Sequence, residues 1–107
     1  MTLGDKQRRF TRMVAQLIMH ADMLGYALTF GDAYRDARVT YGHPRSTHRK
    51  RLAVDLNLFA RDGDGWVYQT DTEAHRPLGE YWESIGGTWG GRFDDGNHYS
   101  CEWEGVR

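Results

Sequence analysis

The chain has 107 residues, with 14 Lys and Arg residues against 15 Asp and Glu residues, and a formal net charge of −1. This length predicts a single domain, residues 1–107, built around one compact core. The near-neutral charge gives no global indication of a nucleic-acid or membrane-surface partner. The one cysteine, Cys101, excludes an intramolecular disulfide and a cysteine-rich zinc site, so a metal would have to be held by histidines and carboxylates. Cys101 itself is expected to be a small buried side chain.

The N-terminal region predicts an amphipathic helix. Apolar residues recur with the i, i+3, i+4, i+7 spacing from Phe10 to Leu24, and the helix is expected to end at Gly25. Gln16 interrupts the apolar run, and no segment reaches the ~20 apolar residues of a membrane span. We therefore expect a product that is soluble and cytoplasmic on synthesis, without membrane insertion.

The middle of the chain reads as short strands. Residues Tyr26–Phe30 predict one strand, and residues 36–47 predict a loop. In Leu52–Phe59, leucine and valine alternate with other residues, which is the period of a strand with one face in the core. Asp55 is then expected on the opposite face of that strand.

The remaining segments complete an α+β pattern. Arg61–Gly65 predicts a hairpin turn and Trp66–Tyr68 the returning strand. Leu78–Ile85 has helical spacing, residues 89–93 predict a tight loop, and His98–Trp103 predicts a last strand. We expect an α+β fold in which a small antiparallel sheet has flanking helices.

Two histidines stand close to carboxylates and suggest a metal site. His48, Asp55 and His98 would supply two imidazoles and one carboxylate, which leaves a fourth position for water in a catalytic zinc centre. Asp95, three residues before His98, is the candidate base. The other histidines have no carboxylate companion and are expected to be surface or core polar groups: His20, His43 and His75.

Three motifs resemble those of the M15-type zinc peptidases. They are Ser46-x-His48-x-x-x-x-Ala53-x-Asp55, the run from Leu78 to Phe93 with its Trp-Gly-Gly loop, and Asp95-x-x-His98 followed by Tyr99. The family comprises D-alanyl-D-alanine carboxypeptidases, related dipeptidases, and phage endolysins that cut L-alanyl-D-glutamate in peptidoglycan. The resemblance runs from about Tyr34 to Tyr99, and it implies a hedgehog/DD-peptidase-like fold and a Zn²⁺ cofactor.

The resemblance also implies a role for each matched residue. His48, Asp55 and His98 would be the zinc ligands, and Asp95 the general base that later protonates the leaving amine. Arg35, in a Tyr-Arg pair, would stabilise the oxyanion, a role that an always-charged donor can fill. Ser46 would be a substrate-binding hydroxyl or, almost equally well, a loop cap, whereas Trp82 and Trp89 would support packing.

The chain departs from the family pattern at two positions. Arg51 stands where the family usually has glycine, which suggests altered backbone geometry or an added positive group beside the site. Ser100 stands where an acidic residue is often found. Neither change removes a predicted ligand or the predicted base. Both are therefore expected to alter substrate preference and catalytic efficiency more than zinc binding.

The function that follows from the resemblance is zinc-dependent hydrolysis of peptidoglycan stem peptides. An L-alanyl-D-glutamate endopeptidase is the first expectation: a monomeric phage endolysin that reaches the cell wall after release through a holin. A D-alanyl-D-alanine carboxypeptidase or dipeptidase is the second, and nothing in the sequence separates the two.

Two other classes compete with a peptidase. The basic run from His43 to Arg51 could contact phosphates in a nucleic-acid-binding module or a metal-dependent nuclease. The acidic C-terminal stretch opposes that interpretation, and we expect no nucleic-acid partner. A catalytically inactive structural phage protein is the other alternative, although every ligand position and the base are filled.

Overall fold

The computed structural model describes residues 1–36, 38 and 46–107. Two α-helices accompany a five-stranded antiparallel sheet, which confirms the α+β prediction. The helices and strands are α1 Leu3–Met23, β1 Ala27–Phe30, β2 Ala53–Asp62, β3 Gly65–Gln69, α2 Arg76–Ser84, β4 Thr88–Trp89 and β5 His98–Ser100. Three short 3-10 helices lie between them, at Thr47–Lys50, Thr72–His75 and Gly90–Phe93.

Helix α1 forms as its spacing predicts. Thr2 and Asp5 make a capping box, in which each side chain accepts a hydrogen bond from the other residue's backbone N–H. One face of the helix is buried, and the chain leaves it through Gly25, whose φ is +85°. The buried positions are Phe10, Met13, Leu17 and Ala21. In the part of the chain that the structure describes, no helix has both the length and the apolar character needed to cross a bilayer.

Strand β2 is the centre of the sheet. The strand order is β1-β2-β5-β4, and β3 pairs with the second half of β2. Asp55 on β2 lies directly opposite His98 on β5. Because directly paired residues of antiparallel strands project to the same face, this register brings the two side chains together.

The other face of β2 forms the core with both helices. Val54, Leu56 and Leu58 of β2 are buried, as is Leu52 just before the strand, which is the alternation that the period-two pattern predicts. Trp82 is fully buried, and its Nε1–H donates to the carbonyls of Thr88 (3.1 Å) and Ser100 (2.9 Å). Trp89 and Cys101 are buried as well, so these tryptophans serve packing and the cysteine is a core residue, as expected.

Several predicted boundaries were wrong. Strand β5 ends at Ser100, since Trp103 instead forms an isolated bridge with Val106. The predicted loop over 89–93 is a strand residue followed by a 3-10 helix, and β2 continues to Asp62 because its ladder with β3 runs up to the hairpin turn. Most of the loop predicted over residues 36–47, including His43, lies outside the described residues.

Candidate metal centre

The three predicted ligands meet at one point. His48 comes from the first 3-10 helix, Asp55 from β2 and His98 from β5. Asp55 Oδ1 lies 3.2 Å from His48 Nε2 and 3.5 Å from His98 Nδ1, and one ligand atom from each residue lies within 4.8 Å of the others. Ligands about 2.1 Å from a tetrahedral zinc are separated from one another by about 3.4 Å. The two short distances match that geometry.

The orientation of His48 is set by the backbone around it. Its Nδ1 lies 2.9 Å from the Ala33 carbonyl oxygen, which can only accept, so Nδ1 carries the proton and Nε2 presents its lone pair. The backbone N–H of His48 donates to Ser46 Oγ at 3.2 Å. Ser46 is thus the cap of this 3-10 helix, and a role in substrate binding stays a prediction.

The charges at this point suit a cation. Burial alone would raise the pKa of Asp55, but the imidazoles of His48 and His98 outweigh it and lower the pKa to about 2. Burial would likewise lower the pKa of His48, yet Asp55 and the Ala33 carbonyl raise it overall. Asp55 Oδ1 is buried with no well-aligned hydrogen-bond donor among the described residues. An anionic oxygen between two imidazole nitrogens fits a divalent metal of the zinc type.

Asp95 stands beside the three ligands. Its Oδ2 is 3.9 Å from His98 Nδ1, and its side chain is 51% exposed. Burial of the carboxyl group, followed by repulsion from Asp55, raises the pKa of Asp95 despite the neighbouring imidazoles and Arg35. A carboxylate with a raised pKa is a stronger base, which is what proton transfer from water requires.

Gly90 allows Asp95 and His98 to come this close. The Asp95 N–H donates to the Gly90 carbonyl at 2.9 Å, and the His98 N–H donates to the Asp95 carbonyl at 3.0 Å. A Cβ at Gly90 would lie 2.2 Å from the Asp95 carbonyl oxygen and 2.6 Å from His98 Cβ. The first glycine of the Trp-Gly-Gly loop is therefore required by the turn that carries the candidate base and the second imidazole.

Arg35 is held at the edge of the site. Its side chain is 9% exposed, and its guanidinium approaches Asp32 Oδ2 at 3.4 Å and Ser46 Oγ at 3.5 Å. Its backbone N–H donates to the His48 carbonyl at 3.1 Å. The structure thus brings Arg35 next to the predicted ligands, in a place from which it influences the pKa values of both His48 and Asp95.

Arg51 adopts a backbone conformation that glycine favours. Its φ is 57° and its ψ is 37°, in the left-handed region. Its guanidinium lies over the Tyr34 ring, 4.1 Å from the centroid. The sequence predicted either altered backbone geometry or an added positive group at this position. The structure shows the added positive group, stacked on Tyr34, the residue before Arg35.

Two features of the site and its surroundings had no signal in the sequence. The Ala33 carbonyl that orients His48 could not be identified, because every residue has such a group. His75 was placed among surface or core polar groups, and it is indeed buried, with Nδ1 2.8 Å from the Tyr99 hydroxyl. Its position beside a cavity that Asp95 also lines depends on tertiary structure alone.

An α+β domain with this His-Asp-His group and an adjacent carboxylate has the make-up of a metal-dependent hydrolase. The sequence profile of an M15 peptidase family described as D-alanyl-D-alanine carboxypeptidase matches residues 40–101, more than half of the chain. The chain therefore belongs to the M15 peptidases, a family that is generally zinc-dependent and acts on peptidoglycan-like peptides. No curated protein matches the chain.

Proposed function

We propose that the protein is a zinc-dependent peptidase that hydrolyses peptidoglycan stem peptides, as an L-alanyl-D-glutamate endopeptidase of the phage endolysin type. The convergence of His48, Asp55 and His98 beside Asp95 carries this proposal. A zinc ion held there would supply a Lewis acid that polarises the peptide carbonyl and lowers the pKa of water to about 7.

The chain's own residues would move the protons and orient the substrate. Asp95 accepts a proton from the attacking water and returns it to the leaving amine, for which its raised pKa is suited. Arg35 donates hydrogen bonds to the carbonyl oxygen as that oxygen gains negative charge. His48, Asp55 and His98 stay in place during the reaction and hold the metal.

The site of action and the exact bond belong to the same proposal. We expect the monomeric protein to be made in the cytoplasm and to reach the wall after release through a holin. Cleavage of D-alanyl-D-alanine is the second candidate, and the description of the matching family supports it.

Replacing Asp95 with Ala tests the assignment of the base. We expect zinc content to stay near one ion per chain by metal analysis, while release of new amino groups from purified peptidoglycan falls about 10²- to 10⁴-fold. Asp64→Ala, at the exposed hairpin turn, is the matched control and should hydrolyse normally. Full hydrolysis by the Asp95 variant would remove this residue from the mechanism.

Mass spectrometry of digested peptidoglycan identifies the bond. An endopeptidase of the proposed type leaves fragments with a new N-terminal D-glutamate, whereas release of free D-alanine would support the second candidate instead. Chelator should abolish either pattern. Hydrolysis that persists without metal would contradict the zinc-dependent mechanism.

A further inference from the structure

A polar cavity of about 200 Å³ lies beside Asp95. The end of β3, the second 3-10 helix and the segment 94–97 enclose it, and Thr72, His75 and Asn97 are among its lining residues. A water molecule occupies roughly 30 Å³ in the liquid, so the cavity has room for a small amino-acid residue. Neither the metal ligands nor Arg35 line it.

His75 is the most deeply buried polar group of this cavity. It is 3% exposed, and its Nδ1 lies 2.8 Å from the hydroxyl of the fully buried Tyr99. That hydroxyl has no other hydrogen-bond partner among the described residues, so it must donate to Nδ1, and the ring proton is then on Nε2. Burial lowers the pKa of His75 to about 4, which keeps the ring neutral at pH 7. His75 therefore offers an uncharged N–H donor, and its Nε2 has no partner within the described part of the chain.

The charged groups of the cavity are of one sign. Asp94 and Asp95 line it, and no Lys or Arg does so among the described residues. A ligand carboxylate would be repelled by both side chains, and a single neutral N–H could not compensate for that repulsion. An amide carbonyl would accept the His75 hydrogen bond without this cost.

We propose that this cavity binds the leaving-group residue of the substrate with its carboxyl group in amide linkage, and that His75 donates a hydrogen bond to that carbonyl. Asp95, under the proposed function, protonates the leaving amine and must lie beside it, so the cavity that Asp95 lines takes the leaving side. The assignment rests on that function. It makes the protein an endopeptidase, which discriminates against a leaving residue whose chain-continuing carboxyl group is free. A D-glutamate of the stem peptide continues the chain through its γ-carboxyl group, so its α-carboxyl group would lie outside the cavity.

Two peptides that differ only at the γ-carboxyl group of the leaving residue test this preference. With the zinc-loaded protein, we expect acetyl-L-alanyl-D-glutamine, whose γ-carboxyl group is an amide, to have a kcat/KM at least about tenfold above that of acetyl-L-alanyl-D-glutamate, equivalent to about 1.4 kcal/mol. Asp94→Asn should lower this ratio of kcat/KM values by speeding cleavage of the D-glutamate peptide, whereas the control Asp64→Asn should leave the ratio unchanged. Equal or faster cleavage of the D-glutamate peptide by the unmodified protein would overturn the proposal.

Binding of the small products tests the cavity without turnover. In NMR titrations, D-glutamine should shift the His75 ring and Gly96 amide signals at concentrations at least about tenfold lower than D-glutamate does. His75→Gln keeps a donor and should retain part of this affinity, whereas His75→Phe should lose it. An Nδ1–H tautomer at His75, or equal binding by the Phe variant, would overturn the assignment. If D-glutamine binds as expected but neither the two peptides nor purified peptidoglycan are hydrolysed, the cavity assignment is supported and the proposed function is contradicted.

Discussion

The proposed role of the Arg35 guanidinium, stabilising the oxyanion, depends on its shape as well as its charge. Asp32 and Ser46 hold the guanidinium on one side, and the backbone N–H of Arg35 donates a hydrogen bond to the His48 carbonyl. A lysine would keep the positive charge but lose the planar fork that a guanidinium presents to an oxygen.

Arg35→Lys should therefore lower kcat by about 10²- to 10³-fold, the usual loss when an oxyanion donor is removed. Zinc content should not change, because Arg35 is not a ligand. Steady-state kinetics on purified stem peptides, together with metal analysis of the same sample, would check both expectations. A variant with unchanged kcat would exclude Arg35 from stabilising the oxyanion.

Gly90→Ala should damage the site through the backbone. The new Cβ would overlap with the Asp95 carbonyl and His98 Cβ, so the turn must open. We expect the free energy of unfolding to fall by about 1–3 kcal/mol, with weaker zinc binding measured by titration. Gly4→Ala is the control, because its Cβ would come no closer to any neighbour than 3.4 Å, at the far end of the Arg8 side chain. Normal zinc affinity in the Gly90 variant would show that the turn tolerates a side chain.

The three residues that meet at the candidate metal centre could be predicted from the sequence because residue type and spacing indicate them. His48 and Asp55 stand in one motif, and Asp95 and His98 in another, each beside residues that the family shares. The partners that orient these groups could not be predicted in the same way. The Ala33 carbonyl and the contact between His75 and Tyr99 arise only when distant segments pack.

Among the helices and strands, β2 has the largest role in the site. One face of it supplies core leucines, and the other supplies Asp55, opposite His98 of β5. The first 3-10 helix, which carries His48, leads directly into it. A metal bound to all three ligands would link three separate parts of the fold.

Removing the metal should therefore destabilise the whole protein. A ligand present at a hundred times its dissociation constant contributes about 2.7 kcal/mol to the free energy of unfolding. We expect urea denaturation midpoints to fall by a corresponding amount when chelator replaces such an excess of zinc. Asp55→Asn, which weakens the ligand set, should show little response to either treatment. A midpoint that is the same with zinc and with chelator would contradict binding at this site.

The long periodic elements were predicted well, whereas the two shortest strands were missed or given the wrong bounds. Helix α1 and strand β2 have many residues whose apolar pattern agrees with their burial. Strand β4 has two residues and β5 has three, which is too few for alternation to be visible. Their positions are fixed instead by tertiary contacts, such as the hydrogen bonds from the Trp82 indole.

For the molecule as a whole, the lowered pKa of His75 makes the stability of the folded protein depend on pH. Its pKa is about 4 in the folded state against 6.5 for an unperturbed histidine, so the unfolded chain binds more protons between these values. The neutral His75 therefore contributes to the free energy of unfolding above pH 6.5. This contribution, about 3 kcal/mol, is lost as the pH falls towards 4. The contribution of Asp55, whose folded pKa is about 2, is lost only at lower pH.

Urea denaturation of the metal-free protein from pH 7 to pH 4.5 would measure this loss. His75→Gln has no imidazole to protonate, so its stability should change less over the same interval, even if it is lower at pH 7. His20→Gln is a suitable comparison, because His20 lies on the surface of α1, stacked on Tyr81. Parallel pH curves for the His75 variant and the unmodified protein would show that His75 is not responsible.

Residues 33–35 and His48 are joined by two hydrogen bonds that run in opposite directions. The His48 ring donates to the Ala33 carbonyl, and the Arg35 N–H donates to the His48 carbonyl. A cation that immobilises the imidazole thereby also restrains the backbone of the arginine. By thermodynamic reciprocity, a peptide that engages Arg35 must raise the affinity for the cation by the same factor as the cation raises affinity for the peptide. We therefore expect binding of the cation and binding of the peptide to be positively cooperative.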